Sequence, residues 1–185
     1  MTHLVLGEAQ RDIEHLPNVD RAHVILRRPG EQTEVADDAA NAVGDIAMVD
    51  ENSAVLIERD DTTDGSPALA CNGPARLDCF NRPAAFKRVY RIDLANTDAE
   101  GFVRKIGYID LLDIADPDRR AHAPLEPNGR FAFPFQGPEG VTVVDREHIA
   151  VVNDNNLPYN SARRIGQPDD TEIVLLRVPE LLGAR

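Results

Sequence analysis

Three observations on this 185-residue chain predict an all-β fold. Its apolar runs are short, four to eight residues, and rich in β-branched side chains. Clusters of Pro, Gly, Asp and Asn punctuate them. One strand–turn–strand pattern occurs twice. Runs of this length with turn residues at both ends are the signature of antiparallel strands.

The strands follow in order. Ala22-His23-Val24-Ile25-Leu26 ends at Arg28-Pro29-Gly30. Asp45-Ile46-Ala47-Met48-Val49 ends at Asp50-Glu51-Asn52, and Ala54-Val55-Leu56-Ile57 runs into Glu58-Arg59-Asp60. Further strands are expected over Val89 to Leu94, Phe102 to Ile109, Val141 to Val144, Ile149 to Val152 and Ile173 to Val178. Helix is confined to single turns at Arg11 to Leu16 and at Ile109 to Ala115, before Asp116-Pro117. Only two lysines, Lys87 and Lys105, with 13 prolines and 12 glycines, argue against a helical bundle or coiled coil.

The repeat relates Ile46–Asp61 to Val141–Asn156 without a gap, at an offset of 141 − 46 = 95 residues. Only Val49/Val144 and Asp50/Asp145 are identical, yet each copy reads strand, tight polar turn, strand, polar cluster. Each is followed by a long loop and another strand. A repeated meander points to a β-propeller, here a partial one of antiparallel four-stranded blades. An offset of 95 spans about two blades of ~40–45 residues, so one blade is expected between the copies, around Phe102 to Phe135. At most about four such blades fit in the chain, so either residues 1–185 are a fragment of a larger ring, the reading preferred here, or the ring closes another way. Two similar hairpins in a sandwich are the alternative.

Composition bounds the function. There are 20 Lys+Arg against 32 Asp+Glu, a net charge of −12. That balance disfavours nucleic acid, whose binding needs cations to replace phosphate counterions. No apolar run approaches the roughly 20 residues of a membrane span, and Met1 to Gln10 shows no signal peptide. Two cysteines, Cys71 and Cys79, cannot build a four-ligand zinc site. They flank a short segment of a long loop, either as a disulfide or as two thiols. The five histidines, His3, His15, His23, His122 and His148, have no metal-ligand spacing. Asp60 to Gly65 is not a calcium loop, because Cys71 stands where the bidentate Glu belongs. No nucleophile elbow, Walker loop or dinucleotide-binding glycine motif is present.

What remains is the position of the polar clusters. Glu58-Arg59-Asp60 and Asn153-Asp154-Asn155-Asn156 end equivalent strands, and in a propeller such ends gather at one mouth of the channel. Carboxylates and amide carbonyls are hard ligands for Ca²⁺ or Mg²⁺. Asp45 and Glu139 lie near the starts of the preceding strands. The simpler reading is that Asp and Asn close turns. Arg59, Arg91 and Arg163-Arg164 suit a phosphate or carboxylate, with surface ion pairs as the alternative.

These residues also carry a resemblance. Val43-Gly44-Asp45-Ile46, Leu56-Ile57-Glu58-Arg59-Asp60 and Lys87 to Leu94 resemble, in order, the signature of the esterase-like phytase domain family. So do Phe133-Pro134-Phe135, Pro138-Glu139-Gly140-Val141, Val151 to Asn156 and Asp169-Asp170-Thr171-Glu172. The motifs span about 41–178 and match the C-terminal part of that domain; the N-terminal blades are missing. The resemblance implies a secreted or periplasmic β-propeller that hydrolyses small-molecule esters or phosphoesters with a divalent cation, Ca²⁺. It places Glu58, Arg59 and Asp154 in catalysis and Arg59 and Arg91 on the substrate. It makes Glu58, Asp60, Glu139, Asn153, Asp154 and Asn155 the metal ligands. A lactonase-like propeller and a non-catalytic binding module are the alternatives. The chain departs from the family in an insertion, residues 61–85, which holds both cysteines. An exported family favours their pairing as a disulfide. Open blades imply self-association through faces such as that of Val24 and Leu26.

Overall fold

The structure is a computed structural model that describes residues 41–60, 65–99, 101–121 and 130–183. The strand expected at Ala22–Leu26, the turn at Arg11–Leu16 and the face of Val24 and Leu26 lie outside the described residues.

The described chain is all-β. Strands β1 (Asn41–Asp50), β2 (Ser53–Asp60), β3 (Lys87–Thr97) and β4 (Val103–Asp110) form one antiparallel sheet in sequential order. Two short strands, β5 (Ile114–Ala115) and β6 (Arg130–Phe131), pair with each other. A second meander follows, β7 (Gly137–Val143), β8 (His148–Asp154) and β9 (Ile173–Arg177), before the one-turn helix α1 (Pro179–Leu182). Among the described residues no sheet closes on itself.

The repeat seen in sequence is the pair of hairpins β1–β2 and β7–β8. Its one identical acid has a shared job. Asp50 accepts from Asn52 N at 2.9 Å and from Ser53 Oγ at 2.7 Å. Asp145 accepts from the main-chain N–H groups of Glu147 and His148 at 2.8 and 2.9 Å. Each carboxylate closes its turn, and the bonds hold both below the ordinary aspartate range, chiefly the Ser53 hydroxyl for Asp50 and the Glu147 N–H for Asp145.

The middle of the chain departs from expectation. Among the described residues no blade stands between the copies: Val103–Asp110 completes the first sheet as its fourth strand, leaving the β5–β6 ribbon. The turn expected within Ile109–Ala115 is present at Leu111–Leu112, where Asp113 N donates to Asp110 O at 3.2 Å and Asp110 Oδ1 accepts from Leu112 N, and the chain then extends into β5. A short apolar run gives no periodicity long enough to tell an added strand from a new sheet. Helix α1 and a 3₁₀ turn at Pro67–Leu69 went unpredicted, each too short for a periodic signal.

The main core lies between the two sheets. Val55, Ile57 and Val89 from the first meet Val141, Ile149, Val151 and Leu176 from the second. Phe131, Phe133 and Phe135 stack edge-to-face along the flank, with centroids 6.2 and 4.8 Å apart. Ala54, Leu56, Phe86, Tyr90 and Ile92 form a second cluster on the opposite face of the first sheet. Strand β2 is therefore buried along its whole length, odd residues toward one cluster and even residues toward the other. Its homologue β8 buries one face only, and beside it Ile173 and Leu175 of β9 are more than 60% exposed.

The sheets meet at β1 and β7. A Cβ on Gly44 would fall 2.4 Å from the carbonyl oxygen of Pro138 and 3.4 Å from the Cα of Glu139. Beside it, Asp45 Oδ2 accepts from Val141 N at 2.8 Å, satisfying a main-chain donor of β7.

The insertion is tied down at its stem. Ser66 N donates to Ala162 O at 2.7 Å and Ala84 N to Gly65 O at 2.9 Å. The Phe80 ring fills the space a side chain on Gly65 would need, at φ +110°. Cys71 and Cys79 are joined by a disulfide, as the resemblance implied. From just outside that ring, the Asn81 side chain accepts from Arg76 N and donates to Arg76 O, both at 2.9 Å, and Leu77 is 96% exposed at the tip.

Gly44→Ala should destabilise the protein by about 1–3 kcal/mol, because the clash is with main chain that cannot rotate away. Gly107→Ala, whose Cβ would meet only Leu181 Cδ1 at 3.6 Å, should leave stability unchanged or slightly raised. Denaturant unfolding of the two variants checks this; equal effects would contradict the close approach at Gly44.

Candidate functional site

Strand alternation decides which of the expected site residues meet. Neighbours in β2 point to opposite faces, so Glu58 lies on the Leu56–Tyr90 side and Arg59 on the side of the main core. Glu58 forms a buried ion pair with Lys105, whose ammonium also sits 3.9 Å from the Tyr90 ring centroid. Asp60, 1% exposed, has both carboxylate oxygens engaged. One oxygen holds Lys87 Nζ, and the other accepts from Ala85 N and Phe86 N at 2.9 Å. The structure therefore does not bring Glu58, Arg59 and Asp60 into one cluster.

Arg59 does reach across the seam. Its Nη2 lies 2.9 Å from Glu139 Oε1, with the arginine side chain 9% exposed and the glutamate 42%. Glu139 sits at a bulge of β7 between Pro138 and Gly140. In the register of the second sheet, Pro138 faces Asn153 and Gly137 faces Asp154. A Cβ on Gly137 would lie 3.2 Å from both Glu139 Oε1 and the Asp154 carbonyl, so glycine lets these groups crowd together. Arg59, Glu139, Asn153 and Asp154 thus share one end of the seam.

The remaining residues have other duties. Asp154 Oδ1 accepts from Asn156 N at 2.9 Å, and Asn155 Oδ1 from Leu157 N at 3.1 Å. These are the turn-closing bonds of the simpler reading, and Asn156 takes the left-handed φ of +45° that asparagine tolerates. Asn155 Nδ2 donates to Asp169 O at 3.0 Å. Arg91 is far away. It opposes Val55 while Arg59 opposes Lys87, four residues or about 13 Å along β2. There it clamps Asp50, Ser53 Oγ and Leu181 O, all within 3.2 Å. It does not join Arg59 at a substrate.

A buried ionic group was missed. Arg163 Nη1 bonds Glu172 Oε2 at 2.8 Å and its guanidinium stacks 5.2 Å from the Phe135 centroid. Asp169, 4% exposed, accepts from the main-chain N–H groups of Ala162 and Arg163. The pairing of Arg163-Arg164 with the Asp169–Glu172 motif was the signal, but a nine-residue separation through a loop implies no contact by itself. Arg163 and Glu172 also line a groove of about 1070 Å³ between β4, the β5–β6 ribbon and β9; Arg59 and Glu139 do not.

The residues present do not fit a calcium ion held by all six expected ligands. Glu58 and Asp60 are committed to the two lysines on separate partners, and the Asn153 oxygen is taken by Glu172 N. Among the described residues, no group of three or more His, Cys, Asp or Glu is placed to hold a metal. No helix there is long and apolar enough to cross a membrane.

The family described as phytase-like, with the esterase-like activity of phytase, matches residues 10–157. The chain belongs to that family. The match takes in Arg59, Glu139, Asn153 and Asp154 and stops short of Arg163 and Glu172. No curated protein and no solved structure gives a significant match.

Lys87→Met should destabilise the fold by about 3–5 kcal/mol, since it strands the Asp60 carboxylate in the interior. Removing the acid as well, in Asp60→Ala/Lys87→Met, should not restore stability, because Ala85 and Phe86 then lose their acceptor. Full recovery in the double variant, measured by thermal melts, would contradict the role given to those two bonds.

Proposed function

We propose that the chain is part of a hydrolase that holds a small-molecule ester or phosphoester at the Arg59–Glu139 end of the seam. The observation that carries the reading is the nearly buried guanidinium aimed at an exposed carboxylate that the opposite sheet supplies. Family membership supports the reaction class.

Arg59 is the group for the anionic oxygen. Its planar donors suit a phosphoryl or carboxylate oxygen, and burial keeps them aligned without entropic cost at binding. Glu139, displaced from the arginine by the substrate, is placed to accept a proton from an attacking water. Asp154 stands beside it. Glu58, on the far face of β2, takes no part. A divalent cation is confined to Glu139 and Asp154, the two acids of the expected set whose side chains face solvent, and no step depends on it. The lactonase-like alternative uses the same residues on a cyclic ester. The non-catalytic alternative draws support from the pairing of Glu58, Asp60 and Glu139 with cations of the chain.

The fold part of the reading is a partial propeller. The two sheets stack face to face as successive blades, the second short of its fourth strand, and the outer face of β9 is where another blade would pack. The disulfide fits an oxidising, extracytoplasmic setting.

Two measurements follow. On a panel of aryl phosphates, aryl carboxylesters and lactones, Glu139→Gln should lower turnover about 10²-fold or more and Arg59→Lys about tenfold. Unchanged rates in Glu139→Gln would sink the site, while binding without turnover in the parent protein would favour the binding module. By light scattering the 185-residue chain should self-associate through the Ile173–Leu175 face, and Ile173→Ser/Leu175→Ser should dissociate it. A monodisperse parent monomer would contradict the open-blade reading.

A further inference from the structure

Asn153 is 3% exposed and lies on the core side of β8, in line with Ile149 and Val151. Its Oδ1 accepts from Glu172 N at 2.6 Å, while its own main-chain N donates to Glu172 O at 3.3 Å. The first of these bonds fixes which way the amide points. A main-chain N–H can only donate, so the atom facing Glu172 is the oxygen. The nitrogen is left on the other side. Asn153 Nδ2 is buried and has no hydrogen-bond partner among the described residues.

A buried, unsatisfied donor costs free energy wherever it occurs, and native proteins keep such groups chiefly where something outside the chain completes them. Asn153 opposes Pro138, the neighbour of Glu139, and Glu139 carries the contact to Arg59. The unpartnered, enclosed donor and the guanidinium therefore belong to the same end of the seam, and a ligand oxygen reaches the donor only by entering between the sheets. An amide nitrogen has its lone pair delocalised into the carbonyl and two positive hydrogens outward. It cannot ligate a cation.

We propose that Asn153 donates a hydrogen bond to an acceptor oxygen of the ligand, so that its side chain serves an oxyanion and is not a cation ligand. The ligand class is a phosphoryl or carboxyl oxygen that Arg59 and Asn153 hold from two sides. This inference rests on the site proposed above for its location, but it concerns which atom binds, not whether a bond is cleaved.

The test uses the 185-residue chain with inorganic phosphate and with CaCl₂, each alone. In the parent protein, phosphate should move the side-chain NH₂ resonance of Asn153 in ¹⁵N-resolved NMR, and Ca²⁺ should not. Asn153→Asp keeps the oxygen that accepts from Glu172 N and replaces the donor with a carboxylate oxygen. Its phosphate affinity, read by titration of thermal melts, should fall at least tenfold. An Asn153 resonance that phosphate leaves in place, or that Ca²⁺ moves instead, overturns the proposal, as does full phosphate affinity in Asn153→Asp. The parent titration decides the matter even if that variant fails to fold. Phosphate contact without any ester turnover would sink the hydrolase reading and leave this one standing. Turnover that depends on Glu139 with an unmoved Asn153 resonance would do the reverse.

Discussion

The carboxylate of Asp60 is the point on which the rest of the structure hangs. It ends β2, receives the returning chain at Ala85 and Phe86, and neutralises Lys87, which is 0% exposed. One side chain thereby shuts the mouth of a 25-residue excursion and sets the register in which β3 begins. The residue before it, Arg59, inherits its direction from that anchorage. An arginine at the end of an unpinned strand would fray into solvent. Here it is held in the seam, where a guanidinium contact is worth more because water is excluded.

The use of lysine in this chain is informative. Eighteen of the 20 basic residues are arginine, and both lysines are spent on buried acids, Lys87 on Asp60 and Lys105 on Glu58. A compact ammonium fits an enclosed carboxylate where a planar fork would need more room. The arginines instead bridge separated elements: Arg59 joins β2 to β7, Arg91 joins the β1–β2 turn to α1, and Arg163 joins the loop after β8 to Glu172.

Much of the fold was legible because it is written locally. Strand runs such as Ala54–Ile57 and Ile149–Val152 are continuous apolar stretches between turn residues, and Asp50 and Asp145 mark the hairpin turns by chemistry that acts within three residues. The role of Phe102 to Ile109 was not legible, since joining an existing sheet and founding a new one demand the same side chains. The site was half legible. The structure gathers Arg59, Glu139, Asn153 and Asp154 at one end of the seam, whereas Glu58 and Asp60 were grouped with them because a run of charges reads as one cluster. The period of two along a strand separates neighbours, and that period was available in the sequence. The orientation of the Asn153 amide was not, because it depends on a main-chain N–H nineteen residues away. Arg91 was misplaced for a similar reason: its partner Leu181 is 90 residues distant.

The disulfide ring at the tip of the insertion has a topological consequence. Any break in the main chain between Cys71 and Cys79 leaves the polypeptide covalently continuous, because the sulfur bridge bypasses the cut. The stem bonds at Ser66 and Ala84 and the Phe80–Gly65 packing lie outside the ring, so such a break opens the tip without loosening the base. The segment from Asn72 to Asp78, with Leu77 at its apex, is therefore tied to its base by the sulfur bridge and by Asn81, whose side chain holds Arg76. Its length and composition can drift while the seam between the sheets stays as it is.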